Sequence, residues 1–380
     1  MKLSPAEKLL RELIALPSVN PAFLPPGDAR AGEQRVADFL AATAATAGLD
    51  VAFHPVATGR SNLLLRLSPP KVRRRVVLAP HMDTVGHAGM SESLFQPVRR
   101  GERLFGRGAC DTKGSIAAML TALIRVANSA ARPGETEIVL AALVDEESGQ
   151  SGSRALVQDG FRADLAIIGE PTQLRVITAH KGDLWLTLRT RGRAAHGSRP
   201  ELGRNAVHAM ARVVDWLETD YARHLARQSH PLLGPATVNV GAIRGGTQPN
   251  IVPDACEISV DRRTIPGESD AGVMRELRSL LRARGFAVEI SDDKSTAPCP
   301  PMETDPSLPL VQAFMQAARQ KAPLGVRFFS DAAVFAHAGT PAVLFGPGDI
   351  AQAHTADEWI SLRSLERGTD LLTRFLSGLP

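Results

Sequence analysis

Four short clusters in this 380-residue chain combine imidazole and carboxylate groups of the kind that hold divalent cations. They are His81-Met82-Asp83-Thr84, Asp145-Glu146-Glu147, Gly169-Glu170-Pro171, and Gly346-Pro347-Gly348-Asp349 with His354 a few residues further on. A fifth stretch, GRGACDTKG at 106–114, places Asp111 in a glycine-rich turn. Taken singly, each has a bland reading. A histidine after a strand is usually a packed or turn residue, and an acidic triplet is usually a solvated loop or a helix cap. Together they weigh more, because two imidazoles and several carboxylates gather with no Lys or Arg inside the four clusters. Carboxylates crowded without basic partners repel, and a divalent cation is the usual compensation. Imidazole with carboxylate suits zinc, with manganese or cobalt as alternatives.

The elements that must position these clusters are legible as apolar patterning. Residues 76–79, 137–144 (apolar after Glu137), 165–168 and 341–345 are short apolar runs, which predict buried strands, and each of the four clusters follows one of them. Residues 115–127 carry Ile116, Met119, Leu120, Leu123 and Ile124 at helical spacing. This alternation predicts an α/β layer with a mostly parallel central sheet flanked by helices. In such open sheets the ligand crevice lies beyond the carboxyl ends of the strands, so the clusters are expected to converge there. Between 174 and 290 the pattern changes. Trp185, Thr187 and Arg189 alternate with Leu184, Leu186 and Leu188; then come a helix near 205–225, strands near 237–243 and 256–265, a helix at 271–284 and a strand at 288–290. That order is the one of a ferredoxin-like α+β unit. The expected organisation is a discontinuous domain, 1–173 with 291–380, interrupted by an inserted domain at 174–290.

Composition excludes several classes. The net charge of +4 comes from arginines scattered along the chain, and runs such as Arg73-Arg74-Arg75 sit beside Pro69-Pro70 as a solvated turn. No basic stripe interleaves with aromatics, which argues against nucleic acid as a partner. Cys110, Cys256 and Cys299 lie far apart and read as free thiols of a reducing compartment. The N-terminal pattern is broken by Glu7, Lys8, Arg11 and Glu12, and no apolar stretch approaches the about 20 residues that span a bilayer. A soluble, cytoplasmic protein is expected. Rival motifs fail: Asp111 stands where a dinucleotide fingerprint needs glycine, Lys113-Gly114-Ser115 reverses the P-loop order, and no HExxH is present. The stretch around Ser151 falls one residue short of a nucleophile elbow.

Seven motifs occur in one order along nearly the whole chain: HMDT (81–84), GRGACDTKG (106–114), DEESG (145–149), GEP (169–171), GRAAHGSRP (192–200), PNIVPDACEISVDRR (249–263) and GPGDIAQAHTADE (346–358). In these the chain resembles the zinc aminoacylase / carboxypeptidase G family, which includes acetylornithine deacetylases and succinyl-diaminopimelate desuccinylases. The resemblance implies two zinc ions, one held by His81, Glu170 and Asp111, the other by His354, Glu147 and the same Asp111. It implies that Asp83 orients His81 and that Glu146 is the general base. His196 would donate to the oxyanion, often that of a partner subunit in a homodimer formed through the inserted lid domain. Gly197 departs from the serine usual there. Asn250 and Arg263 would contact the substrate carboxylate, while Lys181 and Ser330 are further candidates for substrate contact. Gly348 is expected to let backbone approach the ligand, and Cys110 to be a packing residue. The look is closest to the deacetylases, so a small N-acylated amino acid, N-acetylornithine foremost, is the expected substrate. Desuccinylase and carboxypeptidase or dipeptidase activities are alternatives within the family. A silent metal-binding or ligand-sensing homologue is the alternative from another class, and the intact Glu146 speaks against it.

Overall fold

The computed structural model describes residues 3–293 and 297–380. It divides into two compact units: Met1–Thr178 with Thr304–Leu324 and Ser330–Pro380, and Ala179–Glu303 with Gly325–Phe329. The second unit therefore extends beyond residue 290 and takes in a five-residue segment that the expected boundaries left in the first.

In the first unit the strands Arg74–Ala79, Thr136–Ala142 and Leu165–Ile168 are continuously apolar after their first polar residues, where these occur, and become the buried middle of a sheet. The spatial order is Asp50–Ala57, Arg60–Leu67, Thr136–Ala142, Arg74–Ala79, Leu165–Ile168, Ala342–Leu344. Pairing is parallel in the middle, with Val77 opposite both Val139 and Ala166, and Val343 opposite Ile167. It is antiparallel on both flanks, through Arg60–Leu67 on one side and the Leu344–Ile177 pair on the other. The sheet is thus mixed, parallel only at its centre. The physical reason lies in the connection after Ala57: two residues, with Gly59 at φ +69°, join the first two strands. So short a link permits only a hairpin, whereas parallel neighbours need a long crossover. One such crossover contains the helix Lys113–Ala127. Its Ile116, Met119, Leu120 and Leu123 join one apolar cluster with Leu10 and Leu13 of helix Pro5–Ile14 and Leu372 and Leu376 of helix Leu362–Ser377.

The second unit has strand, helix, strand, strand, helix, strand in chain order. Its antiparallel sheet is ordered Thr237–Gly245, Ala255–Thr264, Gly182–Arg191, Glu289–Asp292. Leu184, Leu186 and Leu188 pack with Met210, Val213, Leu277 and Leu281 of the two helices, while Trp185 and Arg189 on the opposite face are exposed. The helix expected over 205–225 runs as Ala206–Trp216, then a wider turn over Leu217–Tyr221, then Ala222–Leu225. Among the described residues no helix is long and apolar enough to cross a membrane.

Candidate metal centre

The parallel strands end side by side, and the backbone beyond them stays in register long enough to aim the clusters. After Ala79 the chain continues as a bridge, His81 opposite Leu143, with Met82 N–H donating to Leu143 O at 2.8 Å. The acidic cluster turns at Asp145, which takes φ +69°, and Glu170 follows Leu165–Ile168 directly. His354 arrives from the loop after Ala342–Leu344. Asp111 lies two residues before helix Lys113–Ala127. Convergence beyond the carboxyl ends of parallel strands is what the topology dictates.

At the centre is Asp111, whose two oxygens face two imidazoles. Its Oδ1 is 3.1 Å from His81 Nε2 and its Oδ2 is 3.3 Å from His354 Nε2. Glu147 Oε2 lies 3.2 Å from His354 Nε2, and Glu146 Oε2 lies 4.0 Å from His81 Nε2. Ligand atoms of His81, Asp111 and Glu147 all fall within 4.8 Å of one another. Glu170 is buried in the field of Asp111 and Glu147. The His81 ring is fixed from behind, with Nδ1 donating to the Asp83 carbonyl at 2.9 Å and lying 3.4 Å from the Asp83 carboxylate. That carboxylate also accepts the backbone N–H groups of Glu146 and Glu147, each at 3.1 Å. Asp83 thus organises the acidic turn as well as the imidazole.

Charge and donor set fit divalent cations. Burial first, and then neighbouring carboxylates, push Glu146 and Glu170 well above the usual carboxyl range and Glu147 up to about 7. Oε1 of Glu147 and Oε1 of Glu170 are buried without a hydrogen-bond partner, a costly condition that a cation would relieve. The basic groups of the neighbouring turn are engaged elsewhere: Lys113 donates to Leu16 O at 2.7 Å and Arg107 pairs with Glu358 at 2.9 Å. Oxygen and imidazole donors in this arrangement suit a divalent metal centre.

Glu358 is a residue that sequence reasoning quoted within a motif but gave no role. Its carboxylate accepts N–H groups of Gly108, Cys110 and Asp111 at 2.8–3.0 Å besides the Arg107 guanidinium. It thereby sets the turn that presents Asp111. Nothing in local spacing could reveal this, because the partners are about 250 positions apart. Asp331, next to Ser330, is a second overlooked acid. It is buried, accepts from Ser153 Oγ at 2.6 Å, and is pushed up to about 6 by burial.

His196, Asn250 and Arg263 belong to the second unit. There His196 is exposed, with Nδ1 2.7 Å from Ser198 Oγ, and the strand bridge His196–Ile251 sets it beside Asn250. Arg263 makes a two-bond fork with Asp261, both at 2.8 Å. Lys181 donates to Pro235 O at 2.5 Å. Gly348 has φ +94°, and the close neighbour that excludes a side chain there is Cys110 Sγ, 2.5 Å from where a Cβ would sit. The glycine is required by the protein's own packing. Cys110 is a buried free thiol, pushed far up by burial, and donates to Asp349 O at 3.3 Å.

Two outcomes follow from this geometry. Metal binding must displace protons from carboxyls and imidazoles whose proton affinity is raised, His354 to about 10 and Glu147 to about 7. Zinc affinity of the metal-free protein, measured against a chromophoric chelator, is therefore expected to rise steeply from pH 6 to pH 8; a flat profile contradicts the protonation pattern. Glu358→Ala is expected to lower unfolding stability by about 3–5 kcal/mol, as when a buried pair loses one member, and to weaken zinc binding about 10–100-fold. Unchanged zinc affinity would show that the turn holds Asp111 without it.

The chain matches the model of peptidase family M20/M25/M40 over residues 77–378. It is 33% identical over 312 residues to an acetylornithine deacetylase of Myxococcus xanthus, covering 80% of this chain and 79% of that one. It is 30% identical to an acetylornithine deacetylase of Proteus mirabilis (strain HI4320), covering 99% and 97%. An M20 family metallo-carboxypeptidase from Sulfolobus solfataricus shares the fold at a TM-score of 0.78 and 18% identity, over 99% of both chains. The chain belongs to the M20/M25/M40 family of metal-dependent hydrolases.

Proposed function

We propose that this protein is a two-metal amidohydrolase that removes the acyl group from the amino nitrogen of a small amino acid, with N-acetylornithine as its substrate. The observation that carries this reading is Asp111, turned with one oxygen toward each of two imidazoles while Glu146 lies alongside. His81, Glu170 and Asp111 would hold one ion, and His354, Glu147 and Asp111 the other. Zinc suits these donors, and cobalt or manganese could replace it. Bound there, the ions supply Lewis acidity that polarises the amide carbonyl and acidifies the attacking water. Glu146 takes a proton from that water as its oxygen attacks the carbonyl carbon. It then delivers the proton to the amine nitrogen as the C–N bond breaks, leaving a carboxylic acid and an amine, and the acid's remaining proton is released as it ionises. Asp83 keeps the His81 ring oriented, the usual task of a carboxylate behind a ligand histidine.

The second unit would serve as lid and dimerisation domain of a homodimer. From it His196 would donate to the developing oxyanion. Asn250 and Arg263 would take the substrate carboxylate, Arg263 exchanging Asp261 for the substrate in the same bidentate fork. The choice of an acetylated amino acid rests on curated relatives of that name at 30–33% identity.

Glu146→Gln is expected to retain both equivalents of metal while kcat falls about 10²–10⁴-fold; near-normal turnover would remove Glu146 from the base role. A zinc-loaded panel of N-acetylornithine, N-succinyl-diaminopimelate, other N-acetyl amino acids and dipeptides is expected to give the highest kcat/KM with N-acetylornithine. A higher value for a dipeptide would reassign the enzyme to peptide cleavage.

A further inference from the structure

Behind the proposed ligands lies a buried polar knot that the reaction itself does not use. Residues 18–20 run alongside 82–84: Ser18 Oγ donates to Met82 O at 2.8 Å, and Asn20 N–H donates to Thr84 O at 2.9 Å. This places the fully buried Asn20 carboxamide between two carboxylates. Its Nδ2 donates to Asp83 Oδ2 at 2.7 Å and to Asp145 Oδ1 at 3.0 Å, while its Oδ1 accepts Ala22 N–H at 3.0 Å. The orientation of the amide is determined, since ionised carboxylates only accept and a backbone N–H only donates. Asp145 also accepts from Arg60 at 3.1 Å, and Arg60 in turn pairs with Glu33, whose carboxylate accepts Asp145 N–H at 3.2 Å. Asp145 and Glu33 therefore share one guanidinium, and Asn20 is the donor that bridges Asp145 to the third acid, Asp83. Asp83 passes the constraint on, because its carboxylate accepts the N–H groups of Glu146 and Glu147.

We propose that Asn20 is a positioning residue: by tying Asp83 to Asp145 it sets where the acidic turn presents Glu146 and Glu147. This rests on the base and ligand roles proposed above. Asparagine suits the position for a physical reason. A carboxylate there would set a further buried negative charge against Asp83 and Asp145, and an apolar side chain would leave those two carboxylates facing each other without a bridging donor.

The test compares Asn20→Ala and Asn20→Asp with Ser18→Ala, a control that removes a bond of the same segment without touching the carboxylates. In the full-length, zinc-loaded protein both Asn20 variants are expected to lose about 10–100-fold in kcat with KM within about twofold, and to bind zinc about 10–100-fold more weakly in chelator competition. Ser18→Ala is expected to change melting temperature alone. Asn20→Asp keeps the volume of the side chain, so it remains interpretable if Asn20→Ala does not fold. Wild-type kcat and zinc affinity in the folded Asn20 variants, or an equal loss in Ser18→Ala, overturns the proposal. The zinc measurement needs no substrate. A wild-type enzyme inactive on every N-acyl amino acid would therefore sink the proposed reaction while still reading the effect of Asn20.

Discussion

Repulsion among buried carboxyls is the constraint on which the structure turns. Asp111, Glu146, Glu147 and Glu170 converge where water is largely excluded. Two like charges about 4 Å apart at a protein-like dielectric repel by roughly 4 kcal/mol, so such a group is tolerated only if cations or protons intervene. His81 and His354 face the two oxygens of Asp111, and the raised proton affinity of Glu146, Glu147 and Glu170 comes first from burial and then from the neighbouring carboxylates. A site of this kind is unfavourable by itself and becomes favourable when divalent ions enter.

That tension explains how the surroundings are built. Two acids that hold no proposed ion, Glu358 and Asp83, accept backbone N–H groups. Glu358 gathers those of the turn that carries Asp111, and Asp83 gathers those of Glu146 and Glu147. Each uses charge-assisted hydrogen bonds, stronger than neutral ones, to hold a loop whose functional side chains push each other apart. The parallel strands bring the loops together, and these carboxylates stop them from relaxing.

The fold supplies the coarse aim through its mixed sheet. Parallel pairing of Arg74–Ala79 with both neighbours puts the ends of three strands at one rim. The antiparallel flanks add width without moving that rim. The second unit is organised on a different plan, with helices on one face of an antiparallel sheet and polar or exposed side chains on the other.

Much of this was legible in the sequence. Short apolar runs at 76–79, 137–144 (after Glu137) and 165–168 are too short for helices and predict buried strands, and alternation at 184–189 predicts a half-covered one. The residues proposed as ligands stand out as well: His81, Glu147, Glu170 and His354 lie in or just after strand-end clusters without a basic residue, and the structure brings ligand atoms of His81, Asp111 and Glu147 within 4.8 Å of one another. Residue type and spacing alone left undecided which acid does what; only the family resemblance set Glu146 apart from Glu147, and it said nothing of Glu358 or Asn20. Glu358 and Asn20 look like any loop polar residue along the chain, and Asp145 looks no different from Glu146. Their separate tasks arise from distances between segments tens to hundreds of positions apart, down to the 2.7 Å bond from Asn20 to Asp83. Residue type and periodicity determined the chemistry available and the strands that deliver it. Only tertiary packing decided which carboxylates face one another and which are turned back to hold the chain, because electrostatic roles depend on separation in space and sequence spacing does not encode it.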